Sequence, residues 1–349
     1  MVISTLRLQQ FRSYSDATFA FSPGVNVIVG QNGRGKTNLL EAVYLLATGS
    51  SFRVADKELV QYDKDWFRLD AEFDDHKRSL RYQQAQSPAK HIVINDGEKK
   101  RFTRQFRLPV VLFEPDMLRV LSGSPARRRV FLDGLISQWF DDGAALIRRY
   151  ERVLLQRNAV LKQAFELPSS VVDDRLFAWD MSLAELIARL EMYRYKVVAV
   201  LDEAISDQYS QIAQKTQHVK VAYQSSLPDG ADQPAIIEKL RAARRLDTAR
   251  GYTTLGPHRS DFSVLLNGQP IETTASRGEQ RSIVLAMKNI EAQQLITIYD
   301  TTPLLLFDDV MSELDHGRQR SIQQNLQKGQ IIITSTDAEV AKISKKIIL

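Results

Sequence analysis

Gly30-Gln31-Asn32-Gly33-Arg34-Gly35-Lys36-Thr37 is the stretch on which the reading of this chain turns. It fits the pattern G-x-x-x-x-G-K-[ST], and it stands where that pattern has physical meaning, between a strand and a helix. Before it, Val25-Asn26-Val27-Ile28-Val29 is a β-branched run suited to a buried strand. After it, Lys36 to Leu46 carries Leu39, Leu40, Val43 and Leu46 at helical spacing. The glycines let the backbone curl so that several N–H groups aim at one phosphate chain, and the helix start adds partial positive charge. Lys36 is expected to reach the β- and γ-phosphates of a nucleoside triphosphate, and the Thr37 hydroxyl to bind Mg²⁺. The plainer alternative is a glycine-rich turn with an exposed lysine.

A phosphate loop needs a carboxylate for its metal. Leu304-Leu305-Leu306-Phe307-Asp308-Asp309 supplies four apolar residues ending in two acids. Asp308, at the strand end, is the expected Mg²⁺ partner, which leaves Asp309 to orient or deprotonate the attacking water. The alternative is a strand that ends in a solvated turn. Further back, Ser276-Arg277-Gly278-Glu279-Gln280 precedes an apolar-periodic helix. Ser276 with Glu279 three residues on reads as a capping box, and taken alone it needs no other role. Ser312-Glu313-Leu314-Asp315 follows the acidic pair, and Thr334-Ser335-Thr336-Asp337 follows the next buried strand, Ile331 to Thr334. The ordered set is far more specific than any single piece.

The whole chain frames these motifs. It has 349 residues, no cysteine, 47 Lys and Arg against 42 Asp and Glu, and 44% hydrophobic residues. That is an ordinary globular composition, so wholesale disorder, a collagen-like fibre and a disulfide scaffold are excluded, as are thiol catalysis and cysteine-ligated metals. No apolar run is long enough to span a bilayer, and the first residues lack the pattern of a secretory signal, so the expectation is a soluble cytoplasmic protein with no membrane partner. The five histidines lack ligand spacing, so no zinc site is expected. The first third reads as strands around one helix, with a hairpin turn at Asn95-Asp96-Gly97. Pro125 to Gln217 reads as two long helices broken at Leu167 to Ser170, and Pro234 opens another helix. From Asp261 the strand–turn–helix pattern returns, with a turn at Asn267-Gly268. The expected architecture is α/β: one domain from both ends of the chain (1–124 and 251–349), with a helical lobe (125–250) inserted between.

These motifs, in this order, resemble the ATP-binding-cassette (ABC-type) ATPases of the chromosome-maintenance kind, and within them the RecF family. The resemblance runs over nearly the whole chain. It includes Phe11-Arg12-Ser13-Tyr14, the loop with Asn38-Leu39-Leu40-Glu41-Ala42, Ser50-Ser51-Phe52-Arg53 and Phe113-Glu114-Pro115-Asp116. It continues through Gly123 to Arg129, Phe131-Leu132-Asp133 and Gly256-Pro257-His258-Arg259. Ser260 departs from the acid usual in that family after the His-Arg pair, and Glu114 from a usual small residue. The resemblance implies an ABC-type ATPase head that binds ATP and Mg²⁺ through Gly30 to Asn38 and Arg12. It implies that Ser276, Arg277, Gly278, Glu279 and Gln280 act in trans on nucleotide held by a second copy, so that ATP joins a homodimer. The implied activity is a weak, DNA-dependent ATPase in recombinational repair that helps load recombinase with RecR- and RecO-type partners. Asp309 stands where many cassette ATPases carry glutamate, so slow hydrolysis acting as a release timer is expected. The superfamily's switch histidine is not evident, and Thr334, Thr336 and Asp337 have no assigned role in its place.

Basic residues cluster as a phosphate-contacting face would require. Arg127-Arg128-Arg129 opens the lobe, and Arg148, Arg149, Arg152 and Arg157 recur along it. Arg244 and Arg245 belong to a second group between Lys239 and Arg259, and Lys99, Lys100, Arg101, Arg104 and Arg107 form a third. The competing explanation for each is a solvated helix face with i,i+4 ion pairs. Without a helix-turn-helix or zinc-finger pattern, the expected ligand is gapped, single-stranded or duplex DNA recognised by structure rather than sequence. Two other readings stay open: the ATPase subunit of a transporter, and a nucleotide-dependent DNA clamp with negligible turnover.

Overall fold

The computed structural model describes residues 2–85, 88–99, 102–166, 168–310, 329–336 and 345–349. Ser312 to Asp315, His316, Asp337, Lys100 and Arg101 lie outside the described residues. In chain order the elements are β1 (Ile3–Phe11), β2 (Tyr14–Ala20), β3 (Val25–Val29), α1 (Lys36–Thr48), β4 (Trp66–Phe73), β5 (Lys77–Gln83), β6 (Ala89–Ile94), β7 (Gly97–Lys99) and β8 (Val110–Phe113). Then come α2 (Arg119–Ser122), α3 (Pro125–Trp139), α4 (Gly143–Lys162), α5 (Ser169–Ala213), β9 (Val219–Gln224) and α6 (Gln233–Arg250). The chain continues with β10 (Asp261–Leu266), β11 (Gln269–Pro270), α7 (Ile271–Thr274), α8 (Arg277–Tyr299), β12 (Leu304–Phe307), β13 (Ile331–Ser335) and β14 (Lys345–Ile348). None of the described helices is long and apolar enough to cross a membrane.

The chain divides into two compact units, Met1–Met117 with Glu291–Leu349, and Leu118–Ile290. The first draws on both ends of the chain and holds two sheets. One is antiparallel, in the order β2-β1-β4-β5-β6-β7. The other runs β14-β3-β13-β12-β8, with every neighbouring pair parallel. Strands buried on both faces need continuous apolar sequence, and Leu304 to Phe307 and Val110 to Phe113 are buried at every position. Helix α1 joins the two sheets into one core: Leu39, Leu40, Val43 and Leu46 pack with Leu6 and Leu69 of the antiparallel sheet and with Ile28, Leu306 and Ile332 of the parallel one. The parallel sheet places the carboxyl ends of β3, β12 and β13 side by side, the edge where open α/β sheets bind ligands.

The second unit is helical with a small sheet, β11-β10-β9. Its limits, 118 and 290, lie outside the 125–250 expected from sequence. Residues 251–290 belong with it because β10 pairs with β9 from Asp261–Gln224 to Leu266–Val219. The expected pair of long helices is three. A tight corner after Trp139 separates α3 from α4, and a Cβ on Gly143 would lie 2.2 Å from the Ile136 carbonyl oxygen. A buried ion network ties the helices together. Arg157 of α4, with no exposed surface, bonds Asp180 of α5 and Asp247 of α6, each at 2.7 Å. Arg244 of α6 adds a contact to Asp180 at 2.8 Å.

Candidate nucleotide site

The loop after β3 is built as the sequence requires. Gly33 and Gly35 take φ of 82° and 94°, a left-handed backbone that glycine adopts at little cost. Gly35 caps α1, its carbonyl accepting the Leu39 N–H at 3.0 Å and the Tyr14 hydroxyl at 3.1 Å. Asn38 donates to the Ser13 hydroxyl at 3.0 Å, so the turn after β1 braces the loop and the first turn of α1. Lys36 is 4% exposed and folds back over the loop. Its ammonium donates to the carbonyls of Gly30 (2.9 Å) and Gln31 (3.4 Å) and lies 4.0 Å from an Asp309 carboxylate oxygen. A buried cation on carbonyl oxygens is a ready partner for an anion.

The acidic pair meets this loop. The backbone N–H of Asp308 donates to the Phe113 carbonyl at 2.8 Å, and the rings of Phe113 and Phe307 stack 4.1 Å apart, which fixes the end of β12. The Thr37 hydroxyl donates to Asp308 Oδ1 at 2.8 Å. Burial raises the Asp308 carboxyl above the usual carboxylate range, against the hydrogen bonds from Thr37 and Thr334, while Asp309 raises it further and Arg53 lowers it. Asp309 follows with φ of 51° and a partly exposed carboxylate. Thr37 and Asp308 offer two oxygens in direct contact. That fits Mg²⁺, which usually takes one or two protein oxygens and completes its shell with phosphate and water. Among the described residues no group of three or more His, Cys, Asp or Glu could hold a metal by itself.

Sequence reasoning left Thr334 without a role, and the structure places it at the centre of the acidic pair. Its hydroxyl oxygen accepts the Asp309 N–H at 2.8 Å and lies 2.9 Å from Asp308 Oδ1. The one signal available was a threonine closing an otherwise isoleucine strand. Arg12 is also more constrained than expected. Its guanidinium forks onto Glu41 at 2.9 and 3.2 Å; Glu41 is fully buried, and it also accepts the Ser51 hydroxyl.

Ser276 to Gln280 lie in the second unit. The capping box is reciprocal: Glu279 accepts the Ser276 N–H at 2.9 Å and its hydroxyl at 2.8 Å, and the Glu279 N–H is 3.3 Å from the Ser276 oxygen. The Ser276 bonds hold the Glu279 carboxyl below its ordinary value. Gln280 donates to the Ala275 carbonyl at 3.2 Å. Arg277 is exposed at the first turn of α8. Ser260, in place of an acid, donates to Glu191 at 2.9 Å, so a neighbouring carboxylate serves that position.

The arginines sort by partner. Arg157 is fully buried and cannot be a surface contact, which corrects its place in the basic row. Arg128 forks onto Asp261 at 2.7 and 2.6 Å, and Arg244 is held by Asp180. Arg148, Arg149, Arg152 and Arg245 are exposed, as is Arg127. Arg129 donates to the Ser260 carbonyl at 3.3 Å, and burial followed by nearby Arg194 pushes its guanidinium below the ordinary value.

A phosphate loop and an acidic pair at adjacent ends of a parallel sheet, in a chain whose second unit begins a long helix with a capped Ser-Arg-Gly, define an ATPase head of the ABC and chromosome-maintenance class. The head fold of a structure described as the SmcHead bound to the C-winged helix domain of ScpA is shared at a TM-score of 0.52 and 14% identity, over 96% of this chain and 90% of that one. Residues 2–348 match the RecF/RecN/SMC N terminal domain. The DNA replication and repair protein RecF of Lactobacillus acidophilus is 34% identical over 97% of this chain and 93% of its own length. That of Symbiobacterium thermophilum is 36% identical over 97% and 92%. A solved structure described as the recombination mediator protein RecF-ATPrS in the RecFOR pathway superposes at a TM-score of 0.89, with 29% identity over 100% of this chain and 96% of that one. The chain belongs to the RecF family of DNA replication and repair proteins.

Proposed function

We propose that this protein binds ATP with Mg²⁺ at the loop after β3, dimerises on it, and hydrolyses it slowly while holding DNA for recombinational repair. The observation that carries the reading is the joined cluster of Lys36, Thr37, Asp308 and Asp309, assembled from residues 271 positions apart at the Thr37–Asp308 contact. The loop N–H groups and the start of α1 receive the phosphates. Lys36 exchanges its carbonyl contacts for β- and γ-oxygens, and Thr37 with Asp308 holds the metal. Bound Mg²⁺ supplies charge neutralisation on the phosphoryl oxygens. Asp309 orients the attacking water and takes its proton. Its side chain is one methylene shorter than glutamate, and a displacement of about 1 Å costs on the order of 10²-fold in rate, so turnover is slow.

Ser276, Gly278 and Gln280 are the surface for nucleotide held by a second copy. ATP that touches both copies favours the dimer by mass action, and loss of the γ-phosphate releases it. The exposed arginines of α4 and α6 supply sequence-independent phosphate contacts, with Arg127 and Arg129 at the start of α3. The ATP-bound RecF structures in the RecFOR pathway support the nucleotide and the partner class, RecR- and RecO-type mediators that help load recombinase. Sedimentation with and without ATP, alongside single-turnover hydrolysis, tests the reading. Wild-type chain should dimerise with ATP. Lys36→Met should lose binding and dimer together, Ser276→Arg should bind ATP but stay monomeric, and Asp309→Asn should dimerise without hydrolysis. An assembly state independent of nucleotide defeats the proposal.

A further inference from the structure

Strand β13 reads Ile331-Ile332-Ile333-Thr334-Ser335, and all five residues are buried. Thr334 has no accessible surface. A hydroxyl there costs free energy unless it is hydrogen-bonded, and valine would fill the same volume with good strand propensity. The oxygen is fully engaged. It accepts the Asp309 N–H at 2.8 Å, donates to Asp308 Oδ1 at 2.9 Å, and lies 3.4 Å from the Phe307 carbonyl oxygen. Asp309, at φ of 51°, occupies a left-handed conformation that a non-glycine residue keeps only when its surroundings hold it.

We propose that Thr334 is a positioning residue for ATP hydrolysis: its hydroxyl pins the Asp309 backbone in the left-handed turn and ties that turn to Asp308, so that the two carboxylates diverge, one to Thr37 and the other toward Lys36. The proposal rests on the ATPase reading above. One oxygen bonded to both acids makes the spacing between the metal-binding carboxylate and the water-orienting one a property of β13 rather than of a loose turn. Valine removes both bonds and keeps the volume. Serine keeps both bonds.

Thr334→Val, Thr334→Ser and Asp309→Asn in the full chain are compared by ATP turnover, equilibrium ATP binding and amide hydrogen exchange at Asp309. In Thr334→Val, turnover should fall at least about 10-fold while the ATP Kd moves less than about threefold. The Asp309 amide should exchange at least about 10-fold faster. Thr334→Ser should restore both. Wild-type turnover with wild-type amide protection in Thr334→Val overturns the role, as does an equal loss of turnover and ATP affinity that serine fails to restore. Unchanged turnover in Asp309→Asn counts instead against the ATPase reading, and the exchange measurement then decides whether Thr334 holds the turn.

Discussion

At Gly35 the backbone turns through φ of 94°, and an added Cβ would sit 2.8 Å from the Ser13 hydroxyl and 2.9 Å from that of Tyr14. The position is closed on two counts, by conformation and by the brace from the β1–β2 turn. Gly35→Ala should therefore cost about 1–2 kcal/mol from the left-handed backbone alone and displace the brace as well. ATP affinity by equilibrium titration should drop more than 10-fold, about 1.4 kcal/mol, in a chain that still folds. Arg157 carries the opposite lesson. It reads as one more arginine in a basic row, yet it is sealed between Asp180 and Asp247. Arg157→Met leaves buried Asp247 without its arginine and Asp180 with Arg244 alone, and should destabilise the helical unit by about 3–5 kcal/mol in urea unfolding. DNA affinity per folded molecule should be unchanged. Helical spacing with Leu146, Tyr150, Val153 and Val160 puts Arg157 in the middle of the apolar face of α4, the signal that separates it from exposed Arg149.

At the scale of elements, periodicity carried most of what could be read. Strand β3 is legible as a β-branched run, β12 as an apolar run ending in two acids and α1 through helical spacing, and Asn95-Asp96 and Asn267-Gly268 sit at hairpin turns with positive φ. Strands β8 and β9 were not legible: four apolar residues, or a short alternating run after a long helix, become strands through partners distant in sequence. The site shows the same limit. The loop and the acidic pair were plain, whereas the part of Thr334 depends on β13 lying beside β12. The capping box at α8 is an element whose strength should follow pH. Glu279 titrates below its ordinary value because the folded state favours its charged form. Its contribution is therefore full above the ordinary glutamate range and disappears as pH falls through the depressed value. Comparing thermal midpoints of wild type and Glu279→Gln should show a gap near neutral pH that narrows as pH falls below the ordinary glutamate range, and an unchanging gap would remove charge from the cap's account.

For the whole molecule, the proposed grip on DNA is an ionic property. Arg148, Arg149 and Arg152 are exposed on α4, and each phosphate contact contributes about 0.9 to the slope of log affinity against log salt. Replacing all three with alanine should flatten that slope by up to about 2.7 and weaken binding alike for every sequence, as read by fluorescence anisotropy across a salt series. The parallel sheet has a further bearing, on how the protein is made. β3, which leads into the phosphate loop, is hydrogen-bonded to β13 and β14, whose first paired residues follow their β3 partners by 306 and 319 positions, Ile331 against Val25 and Lys345 against Asn26. At about 5–20 residues per second a ribosome needs roughly 15–60 s to cover that interval. Throughout it, an apolar strand has both edges open. The sheet around the phosphate loop therefore closes only after the last strands are made, and a chain stalled within the helical unit would lack Asp308 as well as both strand partners of β3.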